Sequence, residues 1–101
     1  MAFSYKLHEK AHEEYISAYE WYEIKQQGLG DKFMIAVEKR LEQISHRPEY
    51  YSFLQGRYRQ VKVEGFPFVI LYEFFKRQEL IHIAAIYHVK RNPRRKYRRK
   101  Q

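Results

Sequence analysis

Two clusters of side chains in this chain have the types and spacing to act on an anion. Arg57, Arg59 and Lys62 fall on one predicted strand, and His88, Lys90 and Arg91 stand at the end of the last one. Arginine and lysine stabilise charge developing on a phosphate, and a lysine of depressed pKa serves as a base. His88, next to Lys90 and Arg91, is placed to titrate near neutrality and move a proton. Arg94, Arg95 and Tyr97 continue the basic run. A tyrosine among arginines suits stacking on a base, packing into a protein groove, or anchoring the tail to the sheet. If the two strands open onto one surface, these residues form a cationic, aromatic-flanked site without acids. The same surface also fits nucleic acid or an acidic protein segment, with no chemistry.

The charge distribution supports a polyanionic or acidic partner. Residues 1–55 carry 7 basic and 9 acidic side chains, whereas residues 56–101 carry 13 and 3. Such asymmetry marks a basic face or tail. The 101 residues suit one domain, 1–101, and 18% aromatics with 45% apolar residues suit a folded one.

Several classes of function are excluded. The chain has no cysteine, hence no disulfide framework, no thiolate-bound zinc and no thiol nucleophile. Its four glycines are scattered, which leaves no phosphate-cradling loop, and its serines stand in no nucleophile context. No metal or cofactor is expected. In regular strand geometry His82 and His88 share a face about 20 Å apart, too far to hold one metal. The chain shows no membrane-spanning run and no secretory leader, so the expected location is the cytoplasm.

The elements that position these groups follow from periodicity. Phe3–Leu7 alternates as a short strand. From His8 to Gln27, Ala11, Tyr15, Ala18, Tyr19 and Tyr22 recur at helical spacing, with the glutamates largely off that stripe and solvated. Gly28-Leu-Gly30 is the expected connection, and Asp31 opens a second helix. Phe33, Val37, Leu41 and Ile44 form its apolar stripe, and it ends near His46, before Pro48. Residues 48–56 read as a loop. Arg57–Glu64, Phe68–Phe75 and Leu80–Val89 read as strands, the middle one buried on both faces. The order β-α-α-β-β-β with a basic C-terminal tail describes an α+β domain, an antiparallel helix hairpin on a mainly antiparallel, curved sheet.

Taken together, Glu20-Trp-Tyr-Glu23, Gly28-Leu-Gly-Asp-Lys-Phe33, Pro48, Tyr50, Tyr58-Arg59, Phe66-Pro-Phe-Val-Ile-Leu-Tyr72 and His88-Val-Lys-Arg-Asn-Pro93 resemble the RelE/ParE superfamily of bacterial type II toxins. The resemblance spans residues 3–99. It implies a growth-inhibiting toxin of the plasmid-stabilisation kind, neutralised by a cognate antitoxin whose acidic or amphipathic tail wraps the helices. RelE-like members cut mRNA on the ribosome, and ParE-like members poison DNA gyrase. Of the RelE-type catalytic set, Lys62, Arg91 and Tyr97 are present, and His88 is a further candidate. Gln60 and Val69 stand where that set has a lysine and an arginine. The Phe-Pro-Phe opening and the His-x-x-Arg-x-Pro ending resemble the ParE side. The resemblance therefore favours gyrase inhibition, with Arg57, Arg59, Lys90, Arg94 and Arg95 as contact residues. The alternatives are a ribosome-dependent endoribonuclease and a non-toxic, basic nucleic-acid-binding domain.

Overall fold

The apolar stripes of two helices close over one face of a sheet whose middle strand is buried on both sides. The computed structural model describes residues 2–90. β1 (Ser4–Leu7) leads into α1 (Glu9–Lys25) and α2 (Leu29–His46). Then come β2 (Phe53–Gln55), β3 (Tyr58–Lys62), β4 (Phe68–Phe75) and β5 (Leu80–His88). The strand order is β1-β5-β4-β3-β2, with β1 parallel to β5 and the other pairs antiparallel. This is the expected α+β architecture with one strand added. The tail beyond Lys90 lies outside the described residues.

The helical spacing selects the core correctly. Ala11, Tyr15, Ala18 and Tyr22 of α1 and Phe33, Val37, Leu41 and Ile44 of α2 are buried. They meet Ile70 and Tyr72 of β4 and Ile81, Ile83 and Ile86 of β5. Phe33 is the hub. Its ring centroid lies 6.0 Å from Tyr15, 5.3 Å from Tyr22, 5.3 Å from Phe66 and 5.0 Å from Phe68. The pairs with Tyr15, Phe66 and Phe68 are edge-to-face, and each such pair adds about 0.5–1.5 kcal/mol beyond its buried area. Tyr15 completes its burial by donating its hydroxyl to Glu38 Oε2 at 2.8 Å.

The helix junction is tighter than the glycine pair implies. α1 ends at Lys25, and α2 already begins at Leu29, with Gly30 among its buried residues. Gly28 turns the chain at φ 90, a conformation that favours glycine. It offers no side chain to cap α2. Glu23 fills that role from α1, accepting from Gly28 N at 2.8 Å and Gly30 N at 2.9 Å. A carboxylate at a helix N-terminus is favoured by both the orphan N–H groups and the dipole. A Cβ on Gly30 would lie 2.7 Å from Glu23 Oε1 and 2.7 Å from the Tyr19 carbonyl oxygen, so the helices approach too closely there for a side chain.

Two further differences lie in the sheet. The stretch expected as a loop contains β2, a three-residue edge strand. It pairs with β3 through a turn in which Gly56 takes φ 56. Three residues are too few to show alternation. The second difference is a bulge. Leu71 pairs with Ala85 but Tyr72 with Ile83, which leaves Ala84 as an extra residue in β5. A bulge of this kind reverses the inward–outward phase downstream. Ile81, Ile83 and Ile86 accordingly all face the helices, while Ala84, Ala85 and Tyr87 face the other way.

Gly30→Ala is expected to push the helices apart at a cost of about 1–3 kcal/mol, the usual penalty for overpacking. Gly28→Ala strains only the backbone, at about 1–2 kcal/mol. Urea titrations check this: Gly30→Ala should lower the unfolding midpoint with an unchanged slope. An unaltered midpoint would show that the close crossing is not a constraint.

Candidate functional site

The sheet separates the candidate residues into three places. On the face away from the helices, Lys62 pairs across strands with Val69, and Val69 with Tyr87. Gln60 and Leu71 form the neighbouring pair, followed by Ala85. This outer face is a mostly apolar strip, with exposed Lys62 at one end and buried Tyr87 about 10 Å across two strands. Burial, with Glu14 nearby, pushes the Tyr87 phenol above its ordinary pKa.

His88 lies on the opposite side. The Ala84 bulge turns it to the helix face, where its ring meets Phe68 at 5.4 Å. Its Nδ1 accepts from Lys90 N at 3.1 Å, so Nε2 carries the proton of the neutral ring. Here it lines an open groove of about 530 Å³ with Trp21, Tyr22, Phe68 and Ile86, rimmed by Glu13 and Glu14. Glu14 also accepts from Ile86 N at 3.0 Å, covering the β5 edge beyond the end of β1. The sheet itself stands between Lys62 and His88, and no single substrate group reaches both. The same phase change parts His88 from His82, which regular geometry would put on one face.

The third place is the corner beside β2. Arg59 shares the helix-side face with Val61, and its Nη1 donates to Tyr51 O at 2.7 Å and Glu49 O at 3.2 Å. Its guanidinium lies 3.9 Å from the Phe53 ring centroid. These contacts make Arg59 a pin for the loop after α2. Arg57 is exposed in the β2–β3 turn and lies 3.8 Å from Glu73. Lys90 is exposed beyond β5. The structure thus brings His88 to the backbone of Lys90 and leaves Arg57 and Arg59 with separate partners, Glu73 and the 49–51 carbonyls, away from Lys62. Arg91, Arg94, Arg95 and Tyr97 lie outside the described residues. Among the described residues no cluster of His, Asp or Glu is arranged to hold a metal, and no helix is long and apolar enough to cross a membrane.

With this geometry established, the chain can be set against known proteins. It superposes on a chain of the chromosomal ParDE TA system from P. aeruginosa with a TM-score of 0.74 and 15% identity, covering 86% of this chain and 96% of that one. The chain has the RelE/ParE toxin fold. Two structures of E. coli toxin RelE agree. A double arginine-to-alanine mutant in the free state gives a TM-score of 0.67 at 16% identity, over 89% of this chain and 86% of that one. The isolated toxin gives 0.66 at 16% identity, over 98% and 97%. No family model matches the chain, and no curated protein matches it in sequence. Within the RelE/ParE fold, then, the outer face has Val69 between Lys62 and Tyr87, and the groove beside α1 carries His88.

Tyr87 and the Trp21 groove are the features that sequence reasoning missed. Tyr87 stands in a nearly unbroken apolar run, where only knowledge of the bulge assigns it a face. The groove joins residues far apart in the chain.

His82 supplies a pH prediction. It lies on the outer side near His8, at 5.6 Å between ring centroids, with Lys6, Glu73 and Phe75 also around it. Burial, and then the charge of His8, hold its pKa below 6.5. The unfolded chain therefore takes up a proton that the folded one resists, so stability is lost as pH falls from about 6.5 through the folded pKa. Urea midpoints measured between pH 7 and 5 should fall, and His82→Gln should flatten that fall. An unchanged slope in His82→Gln would count against burial of the neutral ring.

Proposed function

We propose that this chain is the toxin of a type II toxin–antitoxin pair, neutralised by a cognate antitoxin, and that it inhibits DNA gyrase in the manner of ParE. The fold shared with the ParDE chain and with RelE supports the toxin reading. Val69, between Lys62 and Tyr87, carries the choice of activity. Cleaving RNA through its own 2′-hydroxyl needs a base, a cation on the charged phosphate and an acid for the leaving oxygen. At the centre of the outer face, where the RelE-type set places an arginine, this chain offers an apolar side chain. His88, the other proton carrier, faces away. An apolar strip with a cation at its end suits docking to a protein better than hydrolysis.

The antitoxin reading follows from the opposite side of the sheet. Trp21 and Ile24 are exposed on α1, and Trp21 borders the groove that ends at His88. An amphipathic antitoxin segment would cover this apolar surface. Its acidic residues would neutralise the basic stretch after β5. The pair would act in the cytoplasm, where both candidate targets reside.

Two measurements decide between activities. Brief induced expression without antitoxin should stop growth while transcript 5′ ends stay unchanged. The purified protein should block gyrase supercoiling and trap cleaved DNA, and Lys62→Ala should weaken that block about tenfold, as loss of one interfacial cation does. New cuts within translated codons, abolished by Arg91→Ala, would instead make the chain an endoribonuclease. Unimpaired growth with folded protein would overturn the toxin reading.

A further inference from the structure

Beside β2, two aromatic rings are held out into solvent. Tyr50 is 65% exposed and Phe53 57% exposed. Each has a guanidinium over one face of its ring: Arg47 lies 4.4 Å from the Tyr50 centroid and Arg59 lies 3.9 Å from that of Phe53. Such cation–π contacts occupy one face of a ring and leave the other face open. We propose that this corner is a stacking platform for single-stranded nucleic acid, with Tyr50 and Phe53 receiving bases and the surrounding cations receiving phosphates.

The rings are pre-positioned, and this separates them from chance exposure. The loop that carries them is tied at four points. Tyr72, fully buried in the core, donates its hydroxyl to Pro48 O at 2.7 Å. Arg59 holds the carbonyls of Glu49 and Tyr51, and Gln60 N donates to Ser52 O at 3.0 Å. Tyr51 buttresses Tyr50 edge-on at 5.1 Å and 89°. A loop ordered in advance loses little conformational freedom on binding.

The charge around the rings fits a polyanion. Arg57 and Lys76 have side chains 81% and 77% exposed. Their partners, Glu73 and Glu49, lie 3.8 and 3.9 Å away. The Lys76–Glu49 pair is exposed on both sides, and such a pair is worth little in water, so a phosphate can displace it. Among the charged residues that these contacts place around the corner, Arg47, Arg57 and Lys76 outnumber Glu49 and Glu73. Every base has a π face, so stacking tolerates any sequence, but a duplex hides those faces. The platform therefore selects single strands. This inference rests on the corner alone and does not depend on the toxin reading.

The test uses the full chain and fluorescence anisotropy with a labelled oligonucleotide of about 20 residues, presented as a single strand or as a duplex. The basic run after Lys90 meets phosphates in either form, so duplex binding is the internal control. Tyr50→Leu with Phe53→Leu keeps the apolar bulk and removes the rings. Single-strand affinity should fall about tenfold or more, while duplex affinity and its salt dependence stay unchanged. Equal binding by variant and parent, or equal loss for both nucleic-acid forms, would overturn the proposal. The unaltered chain supplies a second reading. Ultraviolet cross-linking to a thiouridine-containing single strand should mark residues 47–57, and cross-links confined elsewhere would refute it.

Discussion

One extra residue in β5 decides which way half of that strand faces. With Ala84 inserted opposite the Leu71–Tyr72 step, Ile83 and Ile86 both reach the helices although three positions separate them. Without it, Ile86 and His88 would turn to the outer face, and Tyr87 would be driven toward Phe68 and α1. The small side chains of Ala84 and Ala85 let two successive residues lie on one side of the sheet. The added twist of a bulge curves the strand where the groove and the outer strip diverge. The separation of Lys62 from His88 is therefore a property of the backbone, and no rotamer change of either residue undoes it.

α1 ties this sheet to the rest of the fold through its acids. Glu14 covers an N–H on the exposed edge of β5, Glu23 caps α2, and Glu38 on α2 returns a hydrogen bond to Tyr15. A glutamate off the apolar stripe reads as a solvated face, because spacing reports only the helix's own geometry. What these carboxylates satisfy is the backbone of other elements. A partly buried N–H without a partner costs about 1–3 kcal/mol, so such caps carry weight well beyond that of surface charges. The acidity of the first half of the chain is thus partly structural.

The core was legible because its signals are local and repeated. Phe33, Val37, Leu41 and Ile44 fall on one helical stripe, and the eight residues of β4 stand out by type alone. β2 was not legible, since Phe53-Leu-Gln55 is defined by its pairing with β3 rather than by its own pattern. Of the candidate site, Arg57, Lys62 and Lys90 were legible as exposed cations. Arg59 shows the limit of that reasoning. A guanidinium read as available for an anion instead satisfies two backbone carbonyls, which only the fold of the 48–52 loop brings within reach.

The charge asymmetry gains a more specific meaning from the fold. All 12 acidic residues and 13 of the 20 basic ones lie at or before Lys90, so the described part of the chain is close to neutral and the excess charge lies in the sequence after it. A near-neutral body gains little from long-range attraction, which at physiological salt fades within about 8 Å. Long-range attraction for a polyanion or an acidic partner is therefore concentrated in the basic run, and the described residues contribute shape. The body has three shaped surfaces with distinct chemistry: the apolar strip ending in Lys62, the Trp21–His88 groove and the Tyr50–Phe53 corner. They lie on the two faces and at one edge of the sheet. A partner covering the groove beside α1 leaves the other two accessible.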